Sequence, residues 1–201
     1  LQVSTQFEHL LSAGIQRVEV LRGPQGLMYG ADAGGVVNIS TIAPRDGIGG
    51  EASAEGGRYG SQQFAGNLAG GNGSVDFNLS AADYETDGFN ARTTDTVLRD
   101  DDGYDNTTFH GRVGWNVSED LRLSVVGRNV EGNNDYDGCF TGDTSAPTDA
   151  CKDEYEQTAW RVAADYQLGR FSHQVFYNDR DTDRDTYGGG VFAFNLGGSV
   201  E

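Results

Sequence analysis

The chain is short of several things. It has three prolines, one methionine and two cysteines against 30 glycines in 201 residues, so neither a proline-rich extended segment nor a cysteine-dense stapled scaffold fits. No apolar run approaches the roughly 18 residues a membrane-crossing helix requires. That leaves crossing by strands open, because alternating lipid-facing and lumen-facing residues give a weak hydropathy signal. No basic stretch followed by an apolar core is present, so no signal peptide is visible; the chain opens mid-pattern at Leu1, and this says nothing about secretion. Positive charge is also scarce: 14 Lys and Arg oppose 31 Asp and Glu, a net charge of −17. Such a surface repels a phosphate backbone, so nucleic acid is not an expected partner.

Catalytic signatures are missing too. There is no GxSxG, no HExxH and no glycine-rich phosphate loop ending in Lys-Ser/Thr. His9, His110 and His173 are scattered, and the last two fit as strand residues. The expectation is a protein that is not an enzyme, with no catalytic residue, metal site or cofactor. Asp179, Asp181, Asp183 and Asp185 alternate in a way that invites a calcium-loop reading, but Arg184 stands where an EF-hand needs glycine. They read instead as a solvated strand end with four carboxylates on one face.

The acidity is unevenly placed. Residues 85–106 hold seven acids and two arginines, and residues 131–154 hold seven acids and one lysine, together −11 of the −17. Both segments read as solvated loops. Cys139 and Cys151 lie inside the second. With no further Cys or His nearby to complete a zinc site, they are expected to form a loop-pinning disulfide in an oxidising compartment.

What the chain has in quantity is two-residue alternation. Seven segments carry one apolar and one polar face: 49–56, 62–70, 75–84, 107–116, 121–130, 156–166 and 171–180. In the third, Val75, Phe77, Leu79 and Ala81 oppose Asp76, Asn78, Ser80 and Ala82. In the seventh, Phe176 breaks the pattern. At about ten residues these strands suit a tilted outer-membrane crossing better than the five or six typical of globular proteins. Connections two, four and six are short, whereas three and five are the long acidic ones and the tail after the seventh strand reads as another. Only the first, 57–61, is short on the long-loop side. This layout, with Trp115, Tyr166 and Phe171 near short turns as an aromatic girdle, is that of an outer-membrane barrel.

Ahead of these strands, residues 1–14 set Phe7, Leu10 and Leu11 at helical spacing. Residues 17–21 and 36–41 then read as two short strands around a glycine-punctuated connection. Gly23-Pro24 stops the first strand, since proline gives no ladder N–H. The break at residues 43–47 marks a domain boundary.

The letters of this front part are specific. VEVLRGP, then Tyr29-Gly30, then Gly34-Gly35-Val36-Val37-Asn38-Ile39 resemble the C-terminal part of the plug domain of TonB-dependent outer-membrane receptors over about 25 residues. The spacing between the Tyr-Gly and Gly-Gly pairs is one residue shorter than in many members. The resemblance implies a mainly β fold with part of a plug domain (residues 1–47) followed by the first strands of a transmembrane β-barrel (48–201), 22-stranded in the parent. The odd strand count and the missing closing strand lead us to expect that both ends of the parent lie outside this chain. The implied function is TonB-energised import, across the bacterial outer membrane, of a scarce ligand: a siderophore-iron chelate, cobalamin, haem or an oligosaccharide. A non-transporting surface-binding or signalling barrel is the alternative.

The same resemblance assigns the plug motif to Arg22, Gly23, Pro24, Tyr29, Gly30, Gly34, Gly35 and Asn38. Arg22 is implied to pair with wall carboxylates, for which Glu51 and Glu55 face the lumen. Implied partners are TonB, through a segment outside this chain, outer-membrane lipid and lipopolysaccharide, reached through divalent cations at the Asp179–Asp185 face, and a small ligand or metal chelate. The ligand-binding residues are not identified, although Tyr84, Phe89, Tyr104, Tyr136, Phe140 and Tyr155 sit where they would stack on sugars or planar ligands.

Overall fold

A computed structural model describes residues 9–12, 14–23, 35–92 and 100–200. Strands β1 (Ile15–Arg22) and β2 (Gly35–Thr41) pair antiparallel, with Val20 opposite Val37 and Glu19 opposite Asn38. They form a small sheet of their own. The helix expected over residues 1–14 falls mostly outside the described residues, among which no α-helix occurs.

The rest is one antiparallel meander. Strands β3 (Gly47–Gly56), β4 (Gln62–Gly71), β5 (Val75–Phe89), β6 (Asp102–Asn116) and β7 (Leu121–Tyr136) each pair with the next. A two-residue ribbon of β8 (Cys139–Phe140) and β9 (Pro147–Thr148) interrupts the chain above the sheet. The meander resumes with β10 (Cys151–Leu168) on β7 and β11 (Phe171–Gly188) on β10. Two short strands, β12 (Val191–Asn195) and β13 (Gly198–Val200), fold back on β11.

Cross-strand register lines up the outward side chains in rows. Phe77, Val113, Val125, Val162 and Tyr177 form one row, and Val75, Trp115, Leu123, Ala164 and Val175 the next. From Leu168 up to Thr158 the apolar rows span about ten residues, ~33 Å of strand at ~3.3 Å per residue. Tilted by about 45°, that is ~24 Å of depth, the height of an outer-membrane apolar band. Val175 is 72% exposed and Ile48 78%, whereas Val130 on the inner face is 1% exposed. An apolar face left this bare belongs against lipid, because water would penalise so large a contiguous patch. Trp115, Tyr166 and Phe171 are exposed at the short-turn edge, where an interfacial girdle sits.

The inner face is wet and mutually hydrogen-bonded. Arg122 pairs with Asp76 at 2.6 Å and donates to Asn116 Oδ1 at 2.8 Å. Asn67 donates to Ser80 Oγ at 2.9 Å, and Gln174 to Asp165 at 2.6 Å. Phe176, which broke the alternation, faces inward opposite Ala163, and the Arg161 guanidinium lies 4.1 Å over its ring. Its apolar ring is accommodated on the wet side by a cation instead of by lipid.

Two expectations are corrected. The acidic segments are not wholly loops: 85–89, 102–106, 131–136 and 151–154 are strand, so β5, β6, β7, β10 and β11 run 15 to 18 residues and rise past the apolar band. Above the membrane the backbone still gains by pairing, while Asp, Asn and Tyr side chains on both faces leave no hydrophobic contrast to read. The tail after β11 is also not an immediate long loop. Gly189 and Gly190 adopt φ of 63° and 74° and turn the chain straight into β12, the positive-φ pair a tight hairpin demands.

The row geometry predicts that Val125→Arg in the full-length receptor costs ~2–4 kcal/mol in refolding into lipid vesicles, whereas Ser124→Arg, one residue along and facing inward, costs much less.

Candidate functional site

The front hairpin explains much of its glycine and asparagine spelling. Arg22 closes β1 opposite Gly35. Gly35 has φ +135°, and a Cβ there would sit 2.7 Å from the Leu21 carbonyl oxygen, so a side chain is excluded. Gly23 turns the chain with φ +88°. Asn38 donates from Nδ2 to Glu19 Oε2 at 2.9 Å, and Glu19 also holds Arg17. Pro24, Tyr29, Gly30 and Gly34 lie outside the described residues. Arg22 is exposed at the end of the hairpin that adjoins the connecting segment, and among the described residues it makes no ion pair. Glu51 and Glu55 face inward opposite Asn67 and Gln63.

The strap leading into β1 meets the wall. Gly14, with φ +74°, lies so close to Ser80 on β5 that a Cβ would clash with the hydroxyl. Its carbonyl accepts from Ile42 N–H at 2.9 Å, tying strap to hairpin. His9 is buried, 5% exposed. Its imidazole stacks on Tyr155 with ring centroids 4.2 Å apart and planes within 6°, and more loosely on Tyr104 at 5.8 Å. Its Nδ1 lies 3.3 Å from the Tyr104 hydroxyl and 3.5 Å from Asn106 Nδ2. The Arg128 guanidinium donates to the His9 carbonyl at 3.4 Å. Aromatic stacking of this kind is worth ~0.5–1.5 kcal/mol beyond burial. Sequence reasoning left His9 unassigned and placed Tyr104 and Tyr155 with ligand-facing aromatics. The readable signal was Gly132, an inward glycine within a strand, which often marks a close approach.

Above the band the strands and loops enclose a vestibule. A cavity of about 430 Å³ is lined by Tyr59, Tyr84, Phe89, Tyr136, Asp102 and Asp137, among others. The rim is stapled across loops. Arg92 N–H donates to Asp137 at 3.1 Å, and its guanidinium pairs with the buried Asp149 at 2.6 Å. A disulfide joins Cys139 to Cys151 with Cα atoms 6.0 Å apart, closing the loop that carries Asp149. Phe140 is exposed on this loop. Asn90 Oδ1, Asp100 Oδ1 and Asp137 Oδ1 are buried acceptors without a hydrogen-bond partner among the described residues. Among the described residues no group of three or more His, Cys, Asp or Glu has the arrangement to hold a metal ion. Lower on the wall, Asp153 is buried, accepts from Thr186 Oγ1 at 2.7 Å and pairs with Arg184.

Removing one member of such a buried pair strands the other charge. Arg184→Ala is therefore expected to destabilise the extended top of β10–β11 by ~3 kcal/mol or more, read as a lower thermal midpoint. Arg180→Ala, an exposed residue four positions away, should change it little.

No protein-family model matches the chain. Over 140 residues it is 37% identical to the vitamin B12 transporter BtuB of Photobacterium profundum, covering 68% of this chain and 23% of that protein. Over 95 residues it is 35% identical to the vitamin B12 transporter BtuB of Vibrio vulnificus, covering 46% and 16%. Among solved structures it is similar to the siderophore receptor PirA from Acinetobacter baumannii, with a TM-score of 0.66 and 16% identity over 92% of this chain and 30% of that one. It is also similar to a mutant of the ferric enterobactin receptor PfeA from Pseudomonas aeruginosa, with a TM-score of 0.69 and 19% identity over 97% and 33%. The chain thus spans a third or less of the proteins it matches. These relatives are receptors and transporters of the Gram-negative outer membrane, not enzymes. With the sequence relationship, the shared fold, the front hairpin and the lipid-facing meander in agreement, the chain belongs to the TonB-dependent outer-membrane receptors.

Proposed function

We propose that the receptor carrying this chain imports a corrinoid of the cobalamin type, driven by TonB through a segment outside these residues. Residues 1–47 then supply the C-terminal part of the plug and residues 48–201 the first strands of a 22-stranded barrel. Arg22, Gly23, Pro24, Tyr29, Gly30, Gly34, Gly35 and Asn38 shape the part of the plug that gates the lumen. The Cys139–Cys151 bond holds an external loop in shape. The observation that carries the ligand assignment is the 37% identity to a vitamin B12 transporter, well above the 16–20% shared with the siderophore receptors. The vestibule is in keeping with it. Its aromatic rings offer apolar faces, and its lining residue Asp137, whose Oδ1 has no partner among the described residues, suits a ligand rich in amide N–H donors. A negatively charged ferric chelate would meet like charge. Purified full-length receptor should bind cyanocobalamin saturably, and cells lacking other cobalamin receptors should regain uptake when it is expressed. Saturable binding of a ferric siderophore without cobalamin binding would overturn the ligand while leaving the fold assignment in place.

We also propose lipopolysaccharide as a lateral partner. Just above the apolar band, Asp83, Thr107, Glu131, Glu156 and Asp183 form one outward row, and Glu85, Asp105, Asn133, Glu154 and Asp185 the next. Like charges directly opposite one another repel, and divalent cations shared with lipid phosphates would relieve that. Among the described residues Lys152 answers them locally, and its bond to Glu154 (2.7 Å) raises the pKa of the ammonium and lowers that of the carboxyl from their ordinary values. Glu156→Gln with Asp183→Asn should weaken magnesium-dependent thermal stabilisation in lipopolysaccharide-containing membranes. An unchanged magnesium response would remove this role.

A further inference from the structure

Where strap meets wall, three strands cooperate to make a notch. Gly132 on β7 stands directly between Asn106 on β6 and Tyr155 on β10. Having no side chain, it leaves a gap flanked by an amide and an aromatic ring, and Tyr104 reaches in from one turn of the pleat away. The His9 imidazole fills that gap: a Cβ on Gly132 would lie 2.8 Å from its Nδ1. Asn106 is itself fixed, its Oδ1 accepting from Thr108 Oγ1 at 2.8 Å. Arg128 holds the backbone of the same residue. The notch therefore grips both the ring and the carbonyl of a single plug residue, with every gripping group on wall strands that cannot move independently of the barrel.

We propose that the Gly132 notch is a latch on the plug, and that the His9 imidazole must leave it before ligand can pass. The geometry favours this because the described grip is compact: one flat ring between Tyr104 and Tyr155 and one carbonyl held by Arg128, so that withdrawal along the ring plane releases the ring. The proposal rests on the import reading above.

The test uses the full-length receptor with His9→Cys and Gly132→Cys. Oxidation should join the two positions, verified by mass spectrometry after digestion without reductant. The bridged receptor should bind external ligand with unchanged affinity but import it at least tenfold more slowly, and reductant should restore import. Wild-type receptor under the same reductant controls for reduction of Cys139–Cys151. Import at the wild-type rate with the bridge intact would overturn the latch, as would failure of the two cysteines to join at all. Absence of import in both wild-type and reduced receptor would count against the import reading instead. A second arm needs no bridge: Gly132→Ala should raise resting leak conductance in planar bilayers, and adding His9→Ala should raise it no further. Additive leak would mean that the two residues act apart.

Discussion

The constraint on which the rest depends is that no backbone N–H or C=O can go unpaired in hydrocarbon. A single antiparallel meander meets it for the inner strands, each pairing with both neighbours in unbroken register through the apolar band, whereas β3 and residues 171–179 of β11 pair on one side only among the described residues. Once the backbone is spoken for, side chains are free to divide by face. Val125 goes to lipid and Ser124 to the lumen because the pleat sends them opposite ways. The same period carries the chain past the membrane, so the vestibule stands on continuous strands and not on free loops. Its rim is then held by Arg92, Asp149 and the disulfide.

The wet inner face has a second consequence. A lumen lined with Arg122, Asp76, Gln174 and Asn67 is bonded largely strand to strand, although Asp76 Oδ1, Asn78 Nδ2 and His110 Nε2 stay without a partner among the described residues. Among the described residues the front segment meets the wall where the wall makes room, at Ser80 beside Gly14 and at the gap over Gly132.

Much of this was legible in the residues. The seven strands and their faces follow from two-residue alternation, because within the band every second side chain must be greasy. The front hairpin is spelled by its glycines, since Gly35 cannot carry a Cβ against the Leu21 carbonyl. Legibility failed where that contrast vanishes. Above the band Asp, Asn and Tyr occupy both faces, so 131–136 and 151–154 read as loop although they pair fully. Phe176 blurs the alternation because an inward aromatic is stabilised there by Arg161, a partner fifteen positions away in sequence, yet Val175 and Tyr177 share the outward face as the period predicts. The seat of His9 showed only through Gly132, an inward strand glycine, since its partners lie 95 to 146 positions away and are brought together by the register.

The central claim is that the strands past Gly47 stand with one face in lipid and the other in water. Nitroxide labels placed singly along residues 158–166 of β10, in the full-length receptor in bilayers, test it most directly. Even-numbered positions should be accessible to oxygen and odd-numbered ones to a water-soluble nickel chelate or to neither, alternating residue by residue. Uniform protection from both reagents at the even-numbered positions would mean that Trp160 and Val162 are packed against protein, and the membrane-wall account would be contradicted.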